Sequence, residues 1–521
     1  MTTTEIVGRT LSELDEDERY RRFDELQRAM PSVWESMRLD MPDESVVVVP
    51  SISLASTAGN GTVMQAMEER ALFLLLLLRQ SRLRMIYVTS QPIAEPIVEY
   101  YLGLLPGVIP SHARRRLTLL SVNDATPMPL SAKLLARPNL LRHIRSLIPN
   151  PARSHLIPYN TTGLERDVAL SLGIPMYGAD PRLADLGSKT GCRRLFEELG
   201  VRCPVGAENL HTVDDIVAGV QSMRTRRPSL TQAIVKLNEG VSGAGNAMVD
   251  LRDLPAPGAP DEGSAIADRI GKLAPEAEGL SVDAYLTDFA THGGIVEERI
   301  SGIILTSPSV QMRALPDGSV ELLSTHDQML GGASGQRYLG CIFPADHRYA
   351  VSIAEPAMVI GRHLARLGVL GRFAVDFVVV QDDNGTWTPY AIELNLRKGG
   401  TTHPFLTLQF LTDGTYDGEH GVFLTPHGTP KYLVATDHLE DVRLKALTGA
   451  DLFDTVVTHG LHFDQARRTG VVFHMISCLT ERGRLGMTAV GDSPEEARHF
   501  YHRAEAVLLE EAESALVETV L

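Results

Sequence analysis

The segment from Gly371 to Pro404 constrains the fold of this chain more than any other. It contains two runs rich in β-branched and aromatic residues, Phe373–Val380 and Thr388–Leu396, with the sequence DNG between them. An Asn-Gly pair in a two-residue loop is the strongest short-range signal for a β-hairpin. We therefore predict two antiparallel strands joined by a tight turn at Asn384 and Gly385.

A two-residue loop at this position fixes which residues of the hairpin face each other. Asp376 then lies opposite Glu393, and Asn395 and Arg397 share their face, because side chains alternate along a strand. The opposite face carries the apolar residues Ile392, Leu394 and Leu396. The alternative is a solvated polar face with an unrelated arginine. A longer loop would shift the register, but any shift by an even number keeps the shared face.

The polar face of the hairpin has the chemistry of a magnesium site. Two carboxylates that face each other repel, and a divalent cation reverses the sign of that interaction. Two carboxylates and an amide oxygen suit Mg²⁺, which keeps open positions for nucleotide phosphates. We therefore predict Asp376, Glu393 and Asn395 as metal ligands, and Arg397 as a catalytic group that contacts phosphate oxygens or developing negative charge.

Asp376 followed by Glu393-x-Asn395-x-Arg397 on the next strand resembles the magnesium-binding end of the ATP-grasp ligases. The longer phrase ELNLRKGGTTHP resembles that of the pheganomycin-type peptide ligases within this superfamily. The resemblance implies an α/β (α+β) ATP-grasp fold with an N-terminal Rossmann-like preATP-grasp domain and a C-terminal cap. We expect these domains over residues 1–180, 181–430 and 431–521. The middle domain divides into a small nucleotide-binding subdomain (187–300) and a metal-binding subdomain (301–430).

The region before residue 180 reads as an open α/β layer. A strand at Ser45–Pro50, a helix at Val63–Gln80 and a strand at Arg84–Thr89 form a βαβ unit. Its loop lacks the third glycine of a dinucleotide-binding fingerprint. The apolar run Ala71–Leu78 is too short to span a bilayer, so we expect a buried helix. Further strands are predicted at Leu117–Ser121, His155–Pro158 and Ile174–Tyr177, and an amphipathic helix over residues 11–38.

The nucleotide-binding residues are expected between residues 187 and 304. Lys189 begins a helix that ends at Gly200; it could be an ordinary surface lysine, but the resemblance implies a contact with a nucleotide phosphate. A strand carrying Lys236 precedes a glycine-rich loop, which is either an ordinary turn or, as the resemblance implies, a mobile phosphate-binding loop. The resemblance also gives Lys236 a catalytic role and assigns loop and hinge positions to ATP: Ser242, Gly243, Gly245, Glu297, Glu298 and Ile300. Ile303 and Ile304 replace the acidic ribose ligand of many relatives, so ribose recognition stays open.

Three further elements complete the sequence-based description. Ser324–Gly335 reads as a polar, glycine-rich substrate loop, in which His326 and Asp327 either act on the amine or make structural hydrogen bonds. His347–Leu367 reads as a long helix that leads into the hairpin. In the C-terminal cap we predict a strand near VVFHMISCL and a helix over Ser493–Glu513.

Charge and composition exclude several classes of protein. The chain has 521 residues, with 49 basic against 65 acidic side chains and a net charge of −16, which argues against a nucleic-acid surface. The 4 cysteines are scattered without metal-binding spacing, and the first residues lack a secretion signal, so we expect a cytoplasmic protein with reduced thiols. Hydrolase, zinc-protease and P-loop motifs are absent from the sequence.

These features together predict an ATP-dependent carboxylate–amine (peptide) ligase that acts through an acyl phosphate, with ATP and Mg²⁺ as cofactors. We expect a small-molecule carboxylate and an amine or short peptide as substrates, no nucleic-acid or membrane partner, and we allow a homodimer. The analogy to pheganomycin-type enzymes adds a role in natural-product biosynthesis. The alternatives are an ATP-grasp ligase of primary metabolism, such as an amino-acid ligase or a carboxylase-like enzyme, and a catalytically silent ATP-binding regulator.

Overall fold

The computed structural model describes residues 11–54, 61–239, 245–277, 279–331 and 337–520. Up to residue 187 the chain alternates strands and helices. The α-helices and strands of this region are α1 (Glu16–Gln27), α2 (Met30–Arg38), β1 (Ser45–Val49), α3 (Gly61–Arg70), β2 (Arg84–Thr89), α4 (Glu95–Gly103), α5 (Pro110–Arg114), β3 (Leu117–Ser121), α6 (Leu130–Leu135), α7 (Pro138–Leu147), β4 (Ser154–Pro158) and α8 (Gly163–Leu172). The strands form a parallel sheet in the order β3-β2-β1-β4. Strands β1, β2 and β3 lie where the sequence predicts them, but the predicted strand at Ile174–Tyr177 contributes only an isolated bridge from Met176 to Leu156.

The predicted helix Val63–Gln80 divides at Arg70. After α3 the chain continues as a 3-10 helix, Ala71–Arg79, whose leucines are buried as expected except for Leu77, which is partly buried. They pack between the parallel sheet and strands near the C-terminus of the chain. Gly59 and Asn60, in the preceding loop, lie outside the described residues.

A small antiparallel sheet follows, in the order β5-β9-β6-β7-β8. Its elements are α9 (Lys189–Glu198), β5 (Gly206–Leu210), α10 (Val213–Arg226), β6 (Gln232–Leu237), β7 (Asn246–Asp250), α11 (Glu262–Ile270), β8 (Ala274–Pro275), α12 (Val282–His292) and β9 (Gly294–Glu298). Helix α9 begins at Lys189 as predicted, because the Ser188 side chain caps its first turn by accepting a hydrogen bond from Gly191 N.

The second half of the chain is organised around a large antiparallel sheet. Its elements are β10 (Ile304–Thr306), β11 (Pro308–Ala314), β12 (Val320–Gly331), β13 (Arg337–Phe343), α13 (His347–Arg366), β14 (Gly371–Gln381), β15 (Trp387–Asn395), α14 (Thr402–Thr412), β16 (Thr415–Asp417), β17 (Val422–Leu424), β18 (Tyr432–Glu440), α15 (Gly449–Thr458), β19 (Gly470–His474), α16 (Leu479–Arg482), β20 (Arg484–Gly491) and α17 (Pro494–Val520). Strand β14 pairs with β15, β10 and β11, and the sheet continues through β12, β13, β18 and β20 to β19. The strands predicted to form a C-terminal cap therefore extend the same sheet.

The hairpin of β14 and β15 has the predicted pairing but a different loop. Asp376 pairs with Glu393, as expected. The strands, however, end at Gln381 and Trp387, which leaves a loop longer than the two residues predicted. A β-bulge opposite Asp376 and Phe377 compensates, because β15 carries one extra residue, Ile392, between the partners of these two residues. The two deviations cancel, and the register at Glu393 is the one that the tight turn predicted.

Two smaller predictions need correction. The bulge re-aims Ile392, which lines the central cavity beside Glu393 instead of sharing the apolar face of Leu394. The described part of the predicted loop Ser324–Gly335 is not a loop, since Ser324–Gly331 is the continuation of β12, paired with β11 and β13. The polar composition of this segment misled the prediction, because several of its side chains have hydrogen-bond partners inside the fold, such as Tyr416 for Thr325 and Tyr349 for Asp327.

Candidate active site

A cavity of about 660 Å³ lies between the small sheet and the polar end of the β14–β15 hairpin. Its walls come from β6 and β9 on one side and from β14, β15 and the following turn on the other. The predicted site residues that line it are Lys189, Lys236, Gly245, Glu297, Glu298, Ile300, Asp376, Glu393, Asn395 and Arg397. Ser242 and Gly243 lie outside the described residues. The structure thus brings residues from distant parts of the sequence to one cavity.

The predicted metal ligands form one polar cluster at the end of the hairpin. Asn395 Nδ2 donates a hydrogen bond to Asp376 Oδ2 at 3.0 Å, which leaves the amide Oδ1 able to bind a cation. Burial, followed by the nearby Glu393 carboxylate, raises the pKa of Asp376 to about 6. A carboxyl group whose charge is this unfavourable is one that a bound cation would stabilise.

Glu393 has a cationic partner that the sequence did not identify. Lys189 Nζ lies 2.7 Å from Glu393 Oε2. Burial alone would raise the pKa of Glu393, but the Lys189 ammonium outweighs it and the pKa is lowered. The lysine is held here because α9 packs on β15, where Leu394 N donates to Cys192 Sγ at 3.2 Å. Lys189 therefore connects helix α9 to the cluster of Asp376, Glu393 and Asn395, which we call the metal end of the cavity.

Lys236 makes an equivalent ion pair on the other side of the cavity. Its Nζ donates to Glu297 Oε1, and Glu297 Oε2 lies 3.7 Å from Arg193 Nη1. Antiparallel pairing of β6 with β9 brings these side chains together. Lys236 and Glu297 are both almost fully buried, so each charge offsets the cost of burying the other.

The two hinge glutamates differ in their partners. Glu298 Oε1 accepts a hydrogen bond from Val205 N at 2.9 Å, and Glu298 Oε2 pairs with Arg227. Its carboxylate is therefore held by the protein, and Glu297 is held by Lys236. Ile303 and Ile304, the positions at which the sequence left ribose recognition open, are exposed. The adenine and ribose contacts stay predictions.

The donor set at the hairpin fits Mg²⁺. The facing carboxylates of Asp376 and Glu393 and the neighbouring Asn395 amide supply the oxygen ligands that this ion prefers. The described ranges hold no cluster of three or more His, Cys, Asp or Glu side chains suited to a metal; the predicted site consists of two carboxylates and one amide. Arg397 lines the same cavity and donates from Nη1 to the carbonyl of Lys398 at 3.2 Å.

Several cavity residues were missed by the sequence reasoning. Ser309 and Gln311 on β11 enter because β11 pairs directly with β14, where Ser309 faces Asp376. Arg70, Tyr159, Tyr338, Asp437 and His438 form the far end of the cavity. No local motif marks these positions, because tertiary packing alone brings them together.

His326 and Asp327 are structural residues. His326 is fully buried beside Phe343 and Phe405, where burial lowers its pKa to about 3. Asp327 accepts hydrogen bonds from Tyr349 Oη at 2.7 Å and Asp346 N at 2.9 Å. Neither lines the cavity. Of the two roles left open by the sequence, the structure supports hydrogen bonding within the fold.

The fold and the cavity agree with a similarity to ATP-grasp proteins. Residues 279–419 match the family model described as IQCH-like, ATP-grasp, and residues 451–504 match the PGM1 C-terminal domain. Among solved structures, Rhizobium etli pyruvate carboxylase superposes with a TM-score of 0.50 at 15% identity, covering 89% of this chain and 37% of that chain. An N5-carboxyaminoimidazole ribonucleotide synthetase gives a TM-score of 0.49 at 10% identity, covering 91% and 98%. The predicted fold class is confirmed.

Sequence comparison identifies two relatives that match this chain over regions of similar length. L-propargylglycine–L-glutamate ligase of Streptantibioticus cattleyicolor is 28% identical over 449 residues, which cover 84% of this chain and 89% of the relative. IQ motif-containing protein H of Danio rerio is 24% identical over 481 residues, covering 83% of this chain and 45% of the relative. The predicted resemblance to peptide ligases is confirmed. Of the helices in the described ranges, none combines the length and apolar character needed to cross a bilayer.

Proposed function

We propose that this protein is an ATP-dependent carboxylate–amine ligase that forms an amide bond, in the biosynthesis of a small peptide natural product. The observation that carries the proposal is the single cavity in which Lys189 and Lys236 approach the carboxylates of the hairpin and hinge. The similarity to L-propargylglycine–L-glutamate ligase over most of both chains supports the same reaction class.

In this reaction an oxygen of the substrate carboxylate attacks the γ-phosphorus of ATP, and ADP leaves. The amine nitrogen then attacks the acyl carbon of the resulting acyl phosphate, phosphate leaves, and the amine loses a proton. Lys236 and Arg397 stabilise the negative charge that develops on the transferred group, a role that depends on position. Lys189 and Lys236 exchange their carboxylate partners for phosphate oxygens when the nucleotide binds.

Asp376, Glu393 and Asn395 would hold Mg²⁺. When bound there, this ion neutralises charge on the phosphate oxygens. The hairpin holds the ligand oxygens in place, because β14 and β15 are paired both before and after the Asp376–Glu393 pair. The turn after Arg397, which includes Gly399 and Gly400, lines the cavity where an amine substrate would enter. The domain boundaries, a homodimer and a cytoplasmic location stay predictions.

The proposal is tested by ADP release from Mg-ATP in pools of amino acids, N-terminally modified acids and short peptides. We expect ADP only when a carboxylate and an amine are both present. Glu393→Gln removes the ligand charge, and Glu321→Gln is the matched control, because Glu321 pairs with Arg313 on β11 outside the cavity. A requirement for bicarbonate would replace the proposal with a carboxylase-like reaction. ATP binding without ADP formation in every pool would instead indicate a regulator.

A further inference from the structure

The far end of the cavity contains a third buried ion pair, which the reaction described above does not use. Arg70 Nη2 lies 3.0 Å from Asp437 Oδ2 and donates to the Gly400 carbonyl at 3.0 Å. Asp437 Oδ1 lies 2.8 Å from His474 Nε2. Burial alone would raise the pKa of Asp437, but Arg70 and His474 lower it, so the carboxylate is charged. Arg70 and Asp437 therefore present a positive and a negative charge side by side on one wall.

This ion pair has unused hydrogen-bonding capacity around it. Within the described residues, Arg70 Nε, His474 Nδ1 and both ring nitrogens of His403 are buried and have no hydrogen-bond partner. Buried polar atoms without partners are uncommon in native proteins, and several in one cluster indicate a polar ligand or water. The His403 and His474 rings stack with centroids 4.1 Å apart, which groups these atoms at one place. The arginine is about 5% exposed and faces the cavity.

A small apolar pocket branches from the cavity at this point. It shares Met67, Arg70, Tyr159 and Gly399 with the main cavity. Most of its remaining walls are apolar, from the parallel sheet and the helix after α3: Val48, Ala71, Phe73, Leu74 and Ile157. Lys398, Thr402 and His403 line its polar side. Its volume of about 20 Å³ is close to the space that one or two water-sized groups need. The pocket therefore suits a short aliphatic group on a ligand whose anionic group binds Arg70.

We propose that Arg70 and Asp437 bind the zwitterionic head group of a small apolar α-amino acid, which is the amine substrate of the ligase. The carboxylate lies on Arg70, the amine lies between Asp437 and the metal end, and the side chain enters the apolar pocket. This inference rests on the proposed function, because it assigns the amine substrate of that reaction.

The zwitterion fits because it leaves no buried charge uncompensated. Arg70 and Asp437 satisfy each other in the ligand-free protein, as Lys236 and Glu297 do. An amino acid supplies one charge of each sign, so both partners exchange at once, whereas an amine without a carboxylate would leave Arg70 to compete for Asp437. A guanidinium is also suited to a carboxylate because its N–H groups form a planar fork. Gly400, which accepts from Arg70, is close in sequence to Arg397, so the amine lies near the reacting end.

The test compares glycine, L-alanine, L-2-aminobutyrate and L-leucine with their carboxamides, which keep the amine and lose the carboxylate charge. Binding is measured by titration calorimetry in Mg-ADP, and turnover by ADP release. The wild-type protein is expected to prefer each small acid over its carboxamide by about tenfold or more, since hydrogen bonds to charged groups are the stronger ones. L-Leucine is expected to bind more weakly than L-alanine, because its side chain exceeds the pocket. In Arg70→Gln the acid and the carboxamide bind within about threefold of each other.

Two further variants keep the test interpretable. Arg70→Gln with Asp437→Asn removes both charges together, which avoids an unpaired buried carboxylate if the single variant is unstable. Arg79→Gln is the control. Arg79 is on the helix that continues α3 and makes an ion pair with Asp413, but it lies outside the cavity. It should keep the wild-type preference.

The outcomes separate this inference from the proposed function. Preference for the acids without ADP formation in any pool would refute the ligase and support the subsite. ADP formation with the same acid-to-carboxamide ratio in wild type and Arg70→Gln would refute the subsite and support the ligase. A wild-type protein that binds acids and carboxamides equally would also refute the subsite.

Discussion

The two ends of the cavity are built in different ways. At the metal end, Asp376 and Glu393 belong to one hairpin and face each other because two neighbouring strands pair in register. At the far end, Arg70 at the end of α3 and Asp437 on β18 come from opposite halves of the chain and meet in a salt bridge. Both ends place charged groups on a buried wall. Only the first arrangement is encoded by local spacing.

The far end depends on three consecutive charged residues of α3 that are all buried. Glu68 accepts hydrogen bonds from Ser90 N and Oγ at 2.6 Å, within the parallel sheet region. Glu69 accepts from Ile476 N at 2.6 Å and Ser477 N at 3.0 Å, near the C-terminus. Arg70 contacts Gly400 and Asp437 at the cavity. The end of α3 thus contacts the parallel sheet region, the segment at Ile476 and Ser477, and the cavity. No local sequence motif could predict these three contacts.

The largest expected effect tests whether the metal end is required. Glu393→Gln should lower the rate of ADP formation by about a thousandfold, since it removes one charged ligand and frees Lys189. The free energy of unfolding should also fall, by about 1–3 kcal/mol without Mg²⁺, because Lys189 keeps its buried charge without the partner. ADP release and thermal unfolding measure the two effects. Glu321→Gln should change neither by a comparable amount; an unaffected rate in Glu393→Gln would remove the hairpin from catalysis.

A second, smaller effect tests the nucleotide side. Lys236→Met should weaken ATP binding by about tenfold to a hundredfold, because it removes one charged contact to phosphate. Fluorescence titration with a nucleotide analogue measures this affinity. Lys431→Met is the matched control, since Lys431 makes an ion pair with Asp492 and is equally buried but lies outside the cavity. Equal nucleotide affinity in the two variants would show that Lys236 has only a structural role.

Much of the fold and half of the site follow from the sequence because they depend on short-range spacing. Strand β2 and the start of α9 have the predicted bounds, since a buried apolar run and a serine cap specify them locally. Asp376 and Glu393 were paired correctly even though the loop was wrong. The added residue of the bulge offset the longer loop, so this success depended on two compensating deviations.

The remaining part of the site could not be predicted, because the relevant signal is not in neighbouring residues. The salt bridge from Lys189 to Glu393 depends on how α9 packs on β15. Ser309 faces Asp376 only because β11 lies next to β14, and a strand order is not visible in one sequence. The same limit applies to the side chains of the far end.

A third prediction sharpens the comparison through pH. The pKa of Asp376 is raised to about 6 in the fold, so the folded state binds its proton more tightly than the unfolded chain does. The stabilisation from that proton is complete below the unfolded pKa, near 4, and is lost as the pH rises to the folded value. Asp376→Asn should therefore gain stability over wild type between about pH 4 and pH 6, by an amount of order 1 kcal/mol.

Thermal unfolding of both proteins across this pH range, without Mg²⁺, measures the difference directly. Asp383→Asn is the control, since Asp383 is exposed in the loop of the same hairpin. Magnesium should stabilise wild type and not Asp376→Asn. A constant difference between wild type and Asp376→Asn from pH 4 to pH 8 would mean that Asp376 is not held in an unfavourable charged state.

The smallest effect concerns His326, for which the sequence left open a role on the amine or a structural role. His326 contacts Phe343 and Phe405 and shares a hydrogen bond with Ser324 Oγ at 2.9 Å. His326→Leu should keep the rate of ADP formation within about twofold of wild type, because the ring does not reach the cavity. The free energy of unfolding should change by no more than about 1 kcal/mol, since the lost hydrogen bond is offset by relief of an unpartnered ring nitrogen. Steady-state kinetics at saturating ATP provide the check, and a loss of tenfold or more with an unchanged melting temperature would return His326 to the active site.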